Sequence, residues 1–285
     1  MNEDLNEVFE RNYALVEPHT LLMKEQVRSI FDRLLEVRHL PGDCIEFGGF
    51  NGGLSFFLGL CVNDLGLAKR VFMLDSFQGL PKTDAGRDGP FERGMMASDL
   101  TSVLHQCTEL GLDAVVDVRP GWFEDSLAQM SPAAQFCLAH LDADIYASTK
   151  TALRYLLPRL VPGGAVILDD CLYFGTTGVV EAAEEEIGGG LHLHLGPKTQ
   201  AFAFPRGDPN PHRRAPVWRT LGGRRYDVAD LMQRAEYLEL VAWEADCFRD
   251  HAQWYRDYLE LVSGKEELPP DSHRIASIIG ALRRR

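Results

Sequence analysis

Apolar positions along this chain gather into runs of two periods. Continuous runs at 44–48, 70–75, 114–119, 136–142 and 165–169 have few polar interruptions, the pattern of strands buried on both faces. The stretches between them carry helical spacing, so strand and helix alternate and predict an α/β fold with a doubly wound, mostly parallel sheet. Residues 1–40 predict a helical lead-in, interrupted at Val16-Glu17-Pro18-His19-Thr20 and resuming as an amphipathic stretch from Leu21 to Leu40. Pro41-Gly42-Asp43 then turns the chain into the first strand. After a helix at 177–187, Leu191-His192-Leu193-His194-Leu195 alternates cleanly, and Gly196-Pro197-Lys198 leads to Thr199-Gln200-Ala201-Phe202-Ala203-Phe204. This pair predicts an antiparallel hairpin closing the sheet, with His192 and His194 facing solvent or a neighbouring helix.

The pattern changes after residue 205. Pro205, Pro209, Pro211 and Pro216 preclude a long helix as far as Arg225 and predict a linker or a long surface loop. Residues 226–262 regain helical periodicity with many aromatics, predicting two helices whose aromatic stripe serves a core or an interface.

Candidate chemistry lies where the strand runs stop, because open α/β sheets bind ligands outside the carboxyl ends of their strands. Cys44-Ile45-Glu46-Phe47 opens into Gly48-Gly49-Phe50-Asn51-Gly52-Gly53, small enough for a nucleoside cofactor to approach the backbone. The next run ends at Asp75, whose carboxylate can accept hydrogen bonds from both ribose hydroxyls; its alternative role is a helix cap before Ser76-Phe77. Asp142, Asp169 and Asp170 end neighbouring strands, and three carboxylates meeting at one place suit a hard divalent cation such as Mg2+. Asp144 either caps the helix that follows or replaces Asp142 as a ligand. His140, inside its strand, is expected to be a hydrogen-bonded core histidine. Trp122, in Pro120-Gly121-Trp122-Phe123, flanks a purine or packs against the core.

Composition narrows the partners. With 29 basic against 42 acidic residues the net charge is −13, which repels polyanions and argues against nucleic acid or an anionic membrane and for a small-molecule acceptor. Six cysteines form no C-x-x-C pair and several sit in apolar runs, as expected in a reducing cytoplasm. No run approaches the ~18 apolar residues of a membrane span, so the chain is expected to be soluble and not exported. A homo-oligomer is left open.

Taken in order, these strings resemble the class I S-adenosylmethionine-dependent methyltransferases, and among them the macrocin O-methyltransferase family, which acts on antibiotic deoxysugars. The resemblance is carried by His19-Thr20, Gly42-Asp43-Cys44-Ile45-Glu46, Asp75-Ser76-Phe77-Gln78-Gly79-Leu80-Pro81, Gly121-Trp122-Phe123-Glu124-Asp125-Ser126-Leu127, Leu141-Asp142-Ala143-Asp144-Ile145-Tyr146-Ala147-Ser148-Thr149 and Asp169-Asp170. It covers roughly residues 15–205. It implies a Rossmann-like class I methyltransferase sheet with helical N- and C-terminal additions. The division is a lead-in and cofactor lid at 1–40, a methyltransferase domain at 41–205, and an Arg/Pro-rich linker with a helical extension at 206–285. By the same resemblance Glu46, Phe47, Gly48, Gly49 and Phe50 line the methionine part of S-adenosylmethionine. Asp75 holds its ribose, with Ser76 and Phe77 adjoining, Gly121 and Trp122 lie near adenine, and Thr20 reaches in from the lead-in. Asp142, Asp169 and Asp170 are the implied Mg2+ ligands, with Asp142 also the proton acceptor. The family's first turn usually carries a tryptophan and an arginine where this chain has Phe50-Asn51, and the segment beyond 205 has no recognised counterpart.

The expected activity is Mg2+-dependent methyl transfer from S-adenosylmethionine to a hydroxyl of a vicinal diol, a sugar of a natural product or glycoconjugate. A catechol-type acceptor would use the same metal geometry. Two readings from other classes remain on the residues alone. An NAD-dependent oxidoreductase would use the glycine turn and Asp75 but gives Asp142, Asp169 and Asp170 no role; a non-catalytic cofactor-binding protein would keep the sheet and use 226–262 as its interaction surface.

Overall fold

The lead-in folds as its capping residues dictate. Helix α1 (Leu5–Val16) begins where the Asp4 carboxylate accepts from the Asn6 N–H at 2.9 Å. A single 3-10 turn over Glu17–His19, containing Pro18, breaks it, and α2 (Lys24–Val37) starts where the Gln26 side-chain oxygen accepts from the Met23 N–H at 3.0 Å. The computed structural model describes residues 4–84, 86–89, 91–171, 177–187, 191–195, 199–205, 218–221 and 224–227.

From there the chain alternates as its apolar runs require. The elements are β1 (Asp43–Phe47), α3 (Gly53–Asp64), β2 (Val71–Asp75), α4 (Leu100–Glu109), β3 (Val116–Pro120), α5 (Phe123–Ala128), β4 (Phe136–Leu141), α6 (Tyr146–Leu156), β5 (Leu160–Leu168), α7 (Thr177–Ile187), β6 (Leu191–Leu195) and β7 (Ala201–Pro205). The seven strands form one sheet in the order β3-β2-β1-β4-β5-β7-β6. β1 to β5 are parallel, and β7 runs antiparallel between β5 and β6. The fold is thus α/β, a mostly parallel sheet closed by an antiparallel hairpin.

The period of two along each strand divides the core into two layers. Cys44, Val71, Met73, Leu138, Ala165, Ile167 and Phe202 pack with α1 to α4, where Phe9, Phe31 and Phe57 meet at centroid distances of 5.5–5.9 Å. Ile45, Phe47, Leu74, Ala139, Leu141, Val166 and Leu168 pack against Leu127, Leu153, Leu156 and Ala183 of α5 to α7. Each large side chain so enclosed contributes about 1.5–3 kcal/mol relative to exposure, so the sheet is the rigid part on which the strand ends are mounted. The lead-in belongs to the first layer, to which it gives Val8, Phe9, Val27, Ile30, Phe31 and Leu34.

Three expectations change. β5 begins at Leu160 rather than Ala165, paired with Phe136 ahead of a register shift; Pro162-Gly163-Gly164 conceals this start in the sequence. Part of the expected linker is ordered, because β8 (Trp218–Leu221) pairs antiparallel with β9 (Arg224–Asp227). Tyr226 therefore stands in a strand rather than opening a helix. The chain divides into two compact units, Met1–Ala215 and Pro216–Arg285. The helices expected within 228–262, and Arg213 and Arg214, lie outside the described residues, as do the side chains of Arg224, Arg225, His192 and His194. Among the described residues no helix is long and apolar enough to cross a membrane.

Candidate active site

The ends of β1 and β4 approach so closely that one residue between them must lack a side chain. Gly48 has φ +88°, and a Cβ placed there would stand 1.7 Å from the Asp142 carbonyl oxygen. Backbone bonds stitch the strand ends together: Gly48 N–H to Leu74 O at 2.8 Å, Asp142 N–H to Phe47 O at 2.8 Å, and Asp169 N–H to Leu141 O at 2.8 Å. Gly48→Ala is therefore expected to force β1 and β4 apart, at a cost of at least about 1–3 kcal/mol. Thermal melting with and without S-adenosylhomocysteine checks this; a variant with native melting and native ligand-induced stabilisation would contradict it.

Asp75 fixes the turn that follows. Its carboxylate accepts from the Phe50 N–H and the Phe77 N–H, each at 2.7 Å, with Phe50 at φ +47° and Phe77 at φ +58°. Non-glycine residues in this region are strained and persist where their surroundings hold them. Asp75 is 8% exposed; burial raises its pKa, and the two backbone bonds oppose the rise. A carboxylate offers about four lone-pair positions, so two remain for another pair of donors. Thus Asp75 does shape the turn at Phe77, and the same carboxylate keeps acceptor capacity for a ribose.

The other expected cofactor residues are held in different ways. The Gly121 N–H donates to Asp75 O at 2.9 Å, and half-buried Trp122 starts α5, its carbonyl accepting from Asp125 and Ser126. Thr20 and the His19 backbone lie against Gly53 at the start of α3, and the Thr20 hydroxyl accepts from the Leu22 N–H at 3.1 Å. The Ser76 hydroxyl is engaged within its own turn, donating to Gly79 O at 2.8 Å and accepting from the Gln78 N–H. Gly49 is buried against Met73, and the Phe47 ring points into the opposite layer, edge-on to Phe123 at 5.4 Å. Glu46 is enclosed beneath the turn, where its carboxylate accepts from the Ser55 hydroxyl and stands 3.5 Å from His140 Nδ1.

Three carboxylates converge beyond β4 and β5. Asp142, Asp144 and Asp170 each present an oxygen within 4.8 Å of the others. Asp144 (φ +57°) and Asp170 (φ +54°) both depart from the strand course to do so. Burial, then the negative charges of Asp169, Asp144, Asp170 and Glu46, hold the Asp142 carboxyl well above the usual range. Burial pushes Asp144 up to about 6, and Asp170 is raised well above its ordinary value by burial and by Asp169 and Asp144. Such a cluster favours a positive charge among its oxygens.

Asp169, expected as a ligand with Asp142 and Asp170, adjoins this group, its charge acting on both of them, while one of its oxygens is engaged on the other side of β5. Residue by residue, β5 alternates faces, and after Leu168 the next side chain falls on the α2 face. There Asp169 Oδ1 accepts from Gln26 Nε2 at 3.2 Å, while Gln26 also reaches Thr199 at 3.4 Å and Ser29 donates to Gln200 at 2.9 Å. Burial raises the Asp169 carboxyl, and His140, Gln200 and Gln26 hold it back. His140 is fully buried as expected, but neither ring nitrogen has a hydrogen-bond partner; Glu46 faces it at a longer distance. Asp144 does not cap α6 either, because the Tyr146 N–H is taken by Asp88, a residue with no signal in the sequence reading. Gln26 was likewise missed, since its partner lies 143 residues away.

The 8-demethyl-8-(2,3-dimethoxy-alpha-L-rhamnosyl)-tetracenomycin-C 4'-O-methyltransferase of Streptomyces olivaceus is 38% identical over 140 residues, 46% of this chain and 53% of the relative. The mycinamicin III 3''-O-methyltransferase of Micromonospora griseorubida is 33% identical over 144 residues, 46% of this chain and 56% of the relative. The chain thus spans only a little over half the length of these curated relatives. In fold it is similar to the O-methyltransferase NovP, with a TM-score of 0.63 at 20% identity, covering 71% of this chain and 99% of that one. The sequence profile described as macrocin-O-methyltransferase (TylF) matches residues 18–186, from the turn that carries Thr20 through the ends of β1 to β5. Since that match takes in well over half of the 285 residues, the chain belongs to the macrocin-O-methyltransferase family.

Proposed function

We propose that this chain transfers the methyl group of S-adenosylmethionine to a hydroxyl of a vicinal diol, on a sugar of a natural product or glycoconjugate, with Mg2+ held by Asp142, Asp169 and Asp170 beside Asp144. The observation that carries the reading is the meeting of three carboxylates beside a glycine turn and a carboxylate with spare acceptor capacity. The names of the two relatives, a rhamnosyl-tetracenomycin 4'-O-methyltransferase and a mycinamicin III 3''-O-methyltransferase, support an acceptor of this class. We assign the transfer to 41–205, with 1–40 as the lead-in bringing Thr20 and 206–285 as an extension. Five buried, unbridged cysteines (Cys44, Cys61, Cys107, Cys137 and Cys171) support a reducing compartment, the cytoplasm.

When bound, S-adenosylmethionine supplies an electrophilic methyl group and Mg2+ supplies charge that acidifies a hydroxyl. The protein's own contribution is to align, to exclude water and to accept a proton. The remaining lone pairs of Asp75 accept the ribose hydroxyls, while Phe50 and Phe77, held by the same carboxylate, shape the wall beside them. Gly48 and Gly49 let the methionine part approach the backbone, and Trp122 offers a flat face next to Gly121 for adenine. Ser76 keeps its turn closed. Asp142, at the end of β4, takes the hydroxyl proton, while the neighbouring carboxylates orient the acceptor side of the site. Asp169, tied to Gln26, fixes the backbone from which Asp170 projects.

The carboxylate cluster has a pH signature. Asp144 titrates at about 6 in the folded protein against its ordinary 3.8, and Asp142 and Asp170 are displaced in the same direction. Native protein therefore holds protons that the unfolded chain has released, and unfolding sheds them. The stability these groups contribute is fully present below their ordinary pKa and is lost as the pH rises through about 6 and beyond. A cation among the three oxygens offsets that loss, so Mg2+ is expected to raise Tm more at alkaline pH than at acid pH, each kcal/mol being worth about 2–4 °C in a domain of this size. Melting in chelator and in Mg2+ across this range tests it; no Mg2+ effect, or one independent of pH, would count against the cluster as a cation site.

The activity itself is tested by transfer of labelled methyl groups from S-adenosylmethionine to a panel of rhamnosides and other vicinal diols, with catechols included. Label is expected on oxygen of a glycoside, abolished by chelator and restored by Mg2+. Full turnover in chelator would defeat the metal assignment, and label on catechol alone would move the acceptor to that class.

A further inference from the structure

The segment that carries Thr20 has no regular structure of its own. Residues 20–23 run between the 3-10 turn at Glu17–His19 and the start of α2, with Leu21 and Met23 exposed, so their course depends on what holds the two ends. One end is held at α4, where His19 Nε2 and Gln106 Nε2 lie 2.6 Å apart. The other is held by Gln26, whose amide bonds in two directions. Its oxygen accepts from the Met23 N–H at 3.0 Å, the reach back from the third helical position that steadies a helix start. Its nitrogen donates to Asp169 Oδ1 at 3.2 Å and reaches Thr199 Oγ1 at 3.4 Å.

The far side of that amide is fixed. Asp169 is mounted on the end of β5, where its own N–H bonds Leu141 O at 2.8 Å. Gln26 and Asp169 are each 5% exposed, and beside them the Ser29 hydroxyl of α2 donates to the enclosed Gln200 at 2.9 Å. Loss of the acceptor would leave a buried amide unpaired, so the bond is not readily surrendered. Among the described residues, the hydrogen bonds that carry residues 20–26 to the sheet's ligand-binding edge are those of Gln26. The near side is a close fit: a Cβ on Gly53, at the end of the glycine turn, would stand 2.6 Å from Thr20 Cβ. A shift at the start of α2 is therefore passed along the segment to Thr20.

We propose that Gln26 is a positioning residue: by bonding Asp169 from the start of α2 it locks the lead-in onto the end of β5 and so holds Thr20 in place at the cofactor. This rests on the reading that the lead-in brings Thr20 to S-adenosylmethionine, and it requires no cation. Full-length variants are compared with the unmodified chain in chelator by S-adenosylhomocysteine calorimetry and by deuterium uptake of the peptide spanning residues 18–27. Gln26→Met fills the same space without donor or acceptor, and Asp169→Leu leaves the bond to Met23 intact while removing the far partner. Both are expected to weaken S-adenosylhomocysteine about fivefold or more, the lower end of ordinary coupling between two sites, and to raise uptake over 18–27. Gln26→Glu combined with Asp169→Asn exchanges donor and acceptor: the new carboxylate keeps the Met23 N–H and accepts from the new amide. This pair is expected to recover both affinity and protection, which a residue that merely filled space would not do.

A folded Gln26→Met or Asp169→Leu with native affinity and native uptake overturns the proposal, as does an exchanged pair that recovers neither. Should Gln26→Met not fold, Gln26→Asn, too short to span Met23 and Asp169 together, replaces it; unchanged affinity and uptake there overturn the proposal equally. If the unmodified chain binds no S-adenosylhomocysteine, the cofactor reading fails by itself. The lock is then judged by uptake alone, where a rise in Asp169→Leu reversed in the exchanged pair supports it and unchanged uptake overturns it.

Discussion

Asp142→Asn is expected to lower kcat by about 10²–10⁴-fold while leaving S-adenosylhomocysteine affinity unchanged, the range associated with a lost general base. The carboxylate stands among neighbouring acids, where the ends of β1 and β4 are stitched together. Asparagine preserves size and one oxygen, so the backbone bond to Phe47 O and the approach of Gly48 survive. Because an amide is also a poorer cation ligand, the assay is run at saturating Mg2+, which restores any part of the loss due to weaker metal binding and leaves the part due to the missing base. An effect on the chemical step appears as equal falls in kcat and kcat/KM, whereas loss of acceptor binding alone raises KM. A folded Asp142→Asn enzyme with native kcat would remove Asp142 from proton transfer.

Asp75→Ala is expected to weaken S-adenosylhomocysteine by about 1.5–3 kcal/mol, or tenfold and more in Kd, through loss of charge-assisted bonds to ribose. Two backbone donors, on Phe50 and Phe77, lose their acceptor at the same time, and both residues occupy positive-φ conformations that need support. The variant is therefore expected to lose Tm as well as affinity. Asp75→Asn distinguishes the two contributions, because its single oxygen can still hold one backbone donor. Calorimetry on folded Asp75→Ala that finds native affinity would reduce Asp75 to a turn residue.

What the sequence makes legible, and what it hides, follows from the range of the interactions. Continuous apolar runs locate β1, β2, β4 and the end of β5, since burial on both faces leaves an unmistakable signal in composition. The strict alternation at Leu191–Leu195 likewise locates the closing hairpin. Strand ends then place Asp75, Asp142 and Asp170 near one another without further information. The surroundings of Asp144 and Asp169 are another matter. They depend on Gln26 bonding Asp169 from α2 and on Asp88 accepting from the Tyr146 N–H at the start of α6, contacts that join residues 143 and 58 positions apart. Neither follows from local spacing, because D-A-D-I-Y before a helix reads as a cap, and adjacent Asp169-Asp170 reads as a pair. The β8–β9 hairpin was hidden for a different reason: prolines and arginines around it suppress the alternation that marks a strand.

The arrangement of the whole site is tested most directly by diffraction from crystals of the full chain grown with Mn2+ and S-adenosylhomocysteine, read in the anomalous difference map. The account predicts one strong Mn2+ peak held by the carboxylates of Asp142, Asp169 and Asp170, beside Asp144, with the ribose hydroxyls on Asp75. A peak away from these carboxylates, no peak at saturating Mn2+, or a ribose bound away from Asp75 would contradict it.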